Sequence, residues 1–178
     1  MTGRRIGALA VDYLVICCWA GILALGALTV RAVRGGLPDV LGTLGPAGTQ
    51  GVFFLLLTFV IGCYLYLTES GEHSATWGKR RLRLRVTAAG GDRPGRASIL
   101  IRTAVKLAPW ELAHTFVWQL LWFQHQYGTA AAPPGWIMAG LIGAMVLAVI
   151  WLAATLLTGR GVHDRLARTT VVDGRQPA

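Results

Sequence analysis

The chain has 178 residues, 54% of them hydrophobic and only 14% charged, and a mean hydropathy of +0.53. A soluble domain draws about a quarter of its residues from Asp, Glu, Lys and Arg, so this composition excludes a water-clad globule and requires a lipid bilayer as solvent. The formal charge of +9 invites a nucleic-acid reading, which fails because neither a recognition-helix pattern nor a set of stacking aromatics accompanies the basic residues.

In chain order, Arg4-Arg5 reads as positive flanking of a first span at about 8–30. Its uncharged run from Tyr13 to Val30 covers most of a hydrocarbon core of about 30 Å. The run is longer than a signal-peptide core and has Asp12 at its mouth, so an uncleaved anchor is expected. Arg31 to Gln50 is rich in Gly, Pro and Thr, and these turn formers predict a loop. A second span follows at about 51–68, with Tyr64 and Tyr66 expected at the interface.

Residues 69–98 form a basic segment. Within it Arg81 to Val86 alternate strictly, placing arginines on one face of a strand and Leu82, Leu84 and Val86 on the other. A lone strand is unstable. The β-branched run Thr169 to Val172 is its best partner, which predicts a two-stranded ribbon. Ser98 to Tyr127 is apolar but carries Arg102, Lys106, Glu111 and His114. A crossing at 110–127 after a break at Pro109 is favoured, with a re-entrant or surface-lying helix as the rival. The last span, about 136–157, carries Gly140, Ala144 and Ala148 at the spacing of a close helix contact. A tail at 159–178 ends the chain.

Charge placement decides sidedness. If 110–127 crosses, the N-terminus, the basic segment and the tail put thirteen cations on one face against two on the other. If it does not, the four arginines of the tail land opposite the seven cations of the basic segment. The positive-inside rule selects the first. The expectation is an all-α membrane protein: one domain over 1–178, with four transmembrane helices, a small cytoplasmic β-ribbon, both termini cytoplasmic, in the cell membrane.

Ionisable groups in a span are the chief functional clue, since each is costly there. Asp12, Glu111 and His114 are candidates for an ion or proton pathway, with paired charges that fix packing as the alternative. Arg102 or Lys106 could meet Asp12, Asp164 could meet Arg5, and Glu111 and His114 at i and i+3 could meet each other. Lys79, Arg80, Arg81, Arg83 and Arg85 form a basic surface that would draw anionic lipid at about 1 kcal/mol each, although topology alone would explain them. Cys17, Cys18 and Cys63 read as small buried hydrophobes without metal spacing. No metal or cofactor is expected. Thr76-Trp77-Gly78-Lys79 lacks the upstream Gly and the trailing Ser or Thr of a phosphate loop, and His163-Asp164 has no nucleophile beside it, so an enzyme is not expected.

Taken together, these segments resemble the RDD family of small membrane proteins. Arg5-Ile-Gly-Ala-Leu-Ala-Val-Asp12 is similar to its opening element. Thr76-Trp-Gly78-Lys79 with Leu84-Arg85-Val86 is similar to its T-x-G-K and L-R-V segment. Arg102 falls where a further family arginine is usual, and His163-Asp164 through Thr169 to Val172 is similar to its closing block. The resemblance implies a charge triad of Arg5, Asp12 and Asp164, and ion or proton-coupled transport as in some members. Arg83 and Arg168 depart from the pattern, standing where glycine is usual. The first expectation is a cation/proton transport component acting as a homo-oligomer or with a partner membrane protein. The second is a scaffold that binds partner helices and anionic lipid.

Overall fold

The computed structural model describes residues 2–174; Met1 and residues 175–178, including the last tail arginine, Arg175, lie outside the described residues. The chain is mostly helical: α1 (Thr2–Arg34), α2 (Val40–Phe53), a π-helical turn (Phe54–Phe59), α3 (Val60–Ser70), α4 (Trp77–Arg81), α5 (Arg96–Tyr127), α6 (Gly135–Thr158) and α7 (Val162–Leu166). Strands β1 (Leu84–Ala88) and β2 (Thr169–Asp173) complete it. Among the described residues three helical segments are long and apolar enough to cross a membrane: Gly3–Arg34, Val40–Ser70 and Gly135–Thr158.

The loop expected over 31–50 is corrected. α1 runs on to Arg34, and α2 starts at Val40, where the Asp39 side chain accepts from Gly42 N at 2.8 Å. The Gly and Pro residues that suggested a loop mark a break inside α2: Gly45 has φ 66° and Pro46 restarts the helix, a position suited to a residue without a backbone donor. The break expected at Pro109 is also corrected in part, since α5 is helical on both sides of it. Cys17 and Cys18 are exposed, not buried. They lie on the exposed apolar surface of α1.

The chain divides into two compact units. The first takes the described parts of Met1–Cys17, Val60–Ala108 and Val149–Ala178; the second takes Cys18–Phe59 and Pro109–Ala148.

The first unit holds the ribbon. β1 and β2 pair antiparallel with Val86 opposite Val171. Leu84, Val86 and Val171 are buried with Ala8 and Ile99 in one apolar cluster, as the alternating pattern requires. The strand starts later than expected, because Arg81 ends α4 and Arg83 turns the chain. The two arms of the ribbon repeat one plan: a five-residue helix, an arginine with positive φ (Arg83 at 54°, Arg168 at 51°), then a five-residue strand. The cross-links match as well, with Gly174 N donating to Arg83 O at 2.8 Å and Ala89 N to Arg168 O at 3.1 Å. A left-handed backbone at both positions fits the glycines that the resemblance noted above would place there. A side chain in the left-handed region costs roughly 1 kcal/mol or more. Arg83→Gly and Arg168→Gly are each expected to raise stability by about 0.5 to 1 kcal/mol, after the greater freedom of glycine in the unfolded chain is deducted. Thermal midpoints in detergent check this, with Arg83→Ala as the variant that shows no gain.

In the second unit, Gly140 packs against the Phe116 ring, which a Cβ there would strike, and Ala144 is buried. The small-residue stripe of α6 thus meets α5 at Gly140, while Ala148, in the same unit, is exposed.

Candidate functional site

In the first unit, Asp12 on α1 is buried and accepts three hydrogen bonds: Tyr64 Oη at 2.9 Å, Thr76 Oγ1 at 2.6 Å and Gly78 N at 2.9 Å. Thr76 is the N-cap of α4. Asp12 therefore holds the first turn of a helix, where backbone N–H groups lack helical partners and a negative charge is favoured. The T-x-G-K residues act here as a helix start that receives Asp12. Gly78 is required by space, since a Cβ would fall on the Ala8 carbonyl oxygen. The cation partners considered for Asp12, Arg102 and Lys106, are engaged elsewhere.

Arg102, 2% exposed, lies between two carboxylates. Its Nε donates to Glu69 Oε2 at 2.8 Å and its Nη1 donates to Asp164 Oδ1 and, at 3.0 Å, to Thr169 Oγ1. Glu69, at the end of α3, is fully buried. Its other oxygen, Oε1, takes Lys79 Nζ and, at 3.3 Å, Lys106 Nζ. Asp164 Oδ2 accepts from Gly161 N at 3.0 Å, capping α7 from its third position. Burial, with Arg102 nearby, pulls Lys79 below the usual lysine range, against the opposing pull of Glu69. His163 is pushed down to about 2, first by burial and then by the positive charges of Lys106, Arg102 and Lys79. It is a neutral imidazole at ordinary pH, with Nδ1 buried and unpaired.

The triad residues therefore do not pair in the expected way. Arg5 donates to the carbonyls of Gly159 and, at 2.7 Å, Val171, not to Asp164. It ties α1 to the turn after α6 and to β2, while Asp164 takes Arg102. Neighbouring Arg4 reaches Asp173 at 2.5 Å and the Leu82 carbonyl at 2.9 Å. Lys79, placed by sequence on the basic surface, turns inward to Glu69; Arg80, Arg81 and Arg83 are exposed and Arg85 is half-buried. Tyr64 donates to Asp12, and Tyr66 packs against the apolar cluster under the ribbon.

Sequence reasoning missed Glu69. The available signal was a carboxylate closing an apolar run, with the nearest Lys or Arg ten residues ahead.

In the second unit, Glu111 accepts from Thr58, and Gln50 Nε2 donates to Thr115 Oγ1 at 2.8 Å. His114 does not meet Glu111; its ring packs on Trp110 at 4.5 Å and its Nδ1 faces the Trp110 carbonyl at 2.9 Å. Both line a cleft of about 20 Å³ with Gln50, Thr58 and Trp118, room for about one water. Of the candidate pathway residues, Asp12 belongs to the first unit and Glu111 and His114 to the second. Among the described residues no group of three or more His, Cys, Asp or Glu could hold a metal ion.

Long apolar helices, a small strand pair and buried charges at the helix ends define a membrane-type protein of the small helical class. A family model, that of the RDD family, matches residues 1–168, and the chain belongs to that family. Neither the curated proteins nor the solved structures give a match.

Proposed function

We propose that the chain is a four-span protein of the cytoplasmic membrane, with both termini and the ribbon on the cytoplasmic side, acting in proton-linked cation transport. The fourth span is carried by α5. At 32 residues it has length to spare for a crossing by Trp110 to Tyr127, with Arg102 and Lys106 left near the boundary. Crossing there gathers thirteen cations on one face against two on the other.

One observation carries the proton-linked reading: two lysines converge on a single oxygen of the fully buried Glu69. Either ammonium can give up its proton while the other keeps the carboxylate paired, and burial already favours the neutral form of Lys79. Asp12, held by three donors, serves in this reading as the clamp that fixes α4 and delivers Lys79. The apolar window of α1 has none of its residues buried, which fits further copies of the chain packed in the membrane.

Purified protein in proteoliposomes with a pH-sensitive dye inside tests this. A sodium or potassium gradient is expected to drive proton movement that Glu69→Gln and Lys106→Met abolish. Absence of cation-dependent proton movement by folded wild-type protein contradicts it. The scaffold reading draws on the exposed Arg80, Arg81 and Arg83 and expects no flux.

A further inference from the structure

Apart from the buried network, the ribbon side of the first unit carries an open groove of about 510 Å³, within the size range of small-molecule sites. Four arginines line it, Arg80, Arg83, Arg85 and Arg93, against two carboxylates, Glu72 and Asp92. Among the described residues the arginines that line the concavity outnumber the carboxylates. Such a surplus recruits anions, and a guanidinium fork matches phosphate oxygens in pairs.

The wall is held firmly. Ser74 N donates to Gly71 O at 3.0 Å, and Ser74 O accepts from Val86 N at 2.8 Å. Arg93 is fixed through Nη2 to the Ser70 carbonyl at 2.6 Å. Backbone strain gathers here too. Of the three non-glycine residues with positive φ among the described residues, Ser74 (45°) and Arg83 (54°) both line the groove. Strain of this kind persists where surroundings over-determine it and is concentrated at ligand sites. At position 83 the chain bears that strain in an arginine that lines the groove, where glycine would relieve it.

We propose that this groove binds the phosphate group of a small phosphate ester, with Arg80 and Arg83 as its principal ligands and Arg85 and Arg93 completing the positive wall. Glu72 and Asp92 limit the charge the groove accepts and can take hydrogen bonds from a hydroxyl or amine beside the phosphate. The ester is either a phospholipid headgroup or a soluble compound, and the two share this chemistry. The site is independent of the proton-linked reading, and either can fail alone.

The full chain in nanodiscs of phosphatidylcholine tests the proposal in two arms. In one, inorganic phosphate or glycerol 3-phosphate is titrated in; in the other, part of the phosphatidylcholine is replaced by phosphatidylglycerol. A rise in thermal midpoint is expected in at least one arm, and that arm names the source. Arg80→Gln with Arg83→Gly is expected to weaken the response about tenfold or more, the loss of a charge-assisted hydrogen bond. Arg31→Gln with Arg34→Gln is expected to leave it intact. Because Arg83→Gly relieves strain, the midpoint of the ligand-free double variant shows directly that it is folded. No response in either arm, a double variant that responds like wild type, or an equal loss in the Arg31/Arg34 variant overturns the proposal.

Discussion

Arg102→Met is expected to cost about 3 to 5 kcal/mol, the penalty for removing one partner of a buried ion pair. The damage should fall unevenly. Glu69 keeps Lys79 and Lys106, whereas Asp164 is left with hydroxyl, amide and neutral imidazole neighbours only. Adding Asp164→Asn to Arg102→Met is therefore expected to restore part of the lost stability, because the uncompensated charge is gone. Arg102→Lys should not substitute. One ammonium on a shorter reach cannot serve Glu69 Oε2, Asp164 Oδ1 and Thr169 Oγ1 together. Thermal midpoints of the single and double variants in detergent check this, and a double variant worse than Arg102→Met would refute the pairing.

Gly78→Ala is expected to cost about 3 kcal/mol, combining overpacking with loss of a charge-assisted hydrogen bond. The new Cβ would fall on the Ala8 carbonyl oxygen and lie 2.9 Å from Asp12 Oδ1. Backbone cannot yield as a flexible side chain can, so α4 must move away from α1. That movement breaks the Gly78 N to Asp12 bond at 2.9 Å and draws Lys79 away from Glu69. Gly7→Ala on α1 is the contrast. There a Cβ meets only the Leu82 side chain, with Cδ1 nearest at 3.5 Å, and alanine's better helix propensity should leave the protein as stable or slightly more so. Equal losses at the two positions would show that the α1 to α4 approach is not as close as described.

Much of this architecture can be read from local pattern. The ribbon follows from the alternation Leu84-Arg85-Val86 and the β-branched run at Thr169 to Val172, because a period of two has few other solutions. α1 and α6 follow from uninterrupted apolar runs. α2 escapes this reading because it consists of two short helices joined at Gly45-Pro46, and its composition resembles a loop's. The π-helical turn at Phe54–Phe59 has no signal in an apolar run of this kind.

The site divides in the same way. Arg5, Asp12 and Asp164 stand out as charges in or beside apolar sequence, yet their partners depend on how distant segments fold together. Arg102 and Glu69 are 33 residues apart in sequence, and no spacing rule links them. The family resemblance implies a charge triad, and the sequence offers Asp164 as a partner for Arg5 and Arg102 or Lys106 as partners for Asp12. In the structure the three act separately. Arg5 holds β2 and the turn after α6, Asp12 holds α4, and Asp164 caps α7 and takes Arg102. The glycine-to-arginine departures at 83 and 168 are legible as departures, but their cost becomes visible only in the φ angles.

The crossing of α5 is the claim on which the four-span orientation rests, and site-directed labelling tests it most directly. In a variant with Cys17, Cys18 and Cys63 replaced by Ala, Ala130→Cys is placed between α5 and α6, and Ala89→Cys after β1. With intact cells and a membrane-impermeant maleimide, Ala130→Cys is expected to react at once and Ala89→Cys only after the cells are opened. Protection of Ala130→Cys until opening, like that of Ala89→Cys, would contradict a fourth span and leave α5 on the cytoplasmic face.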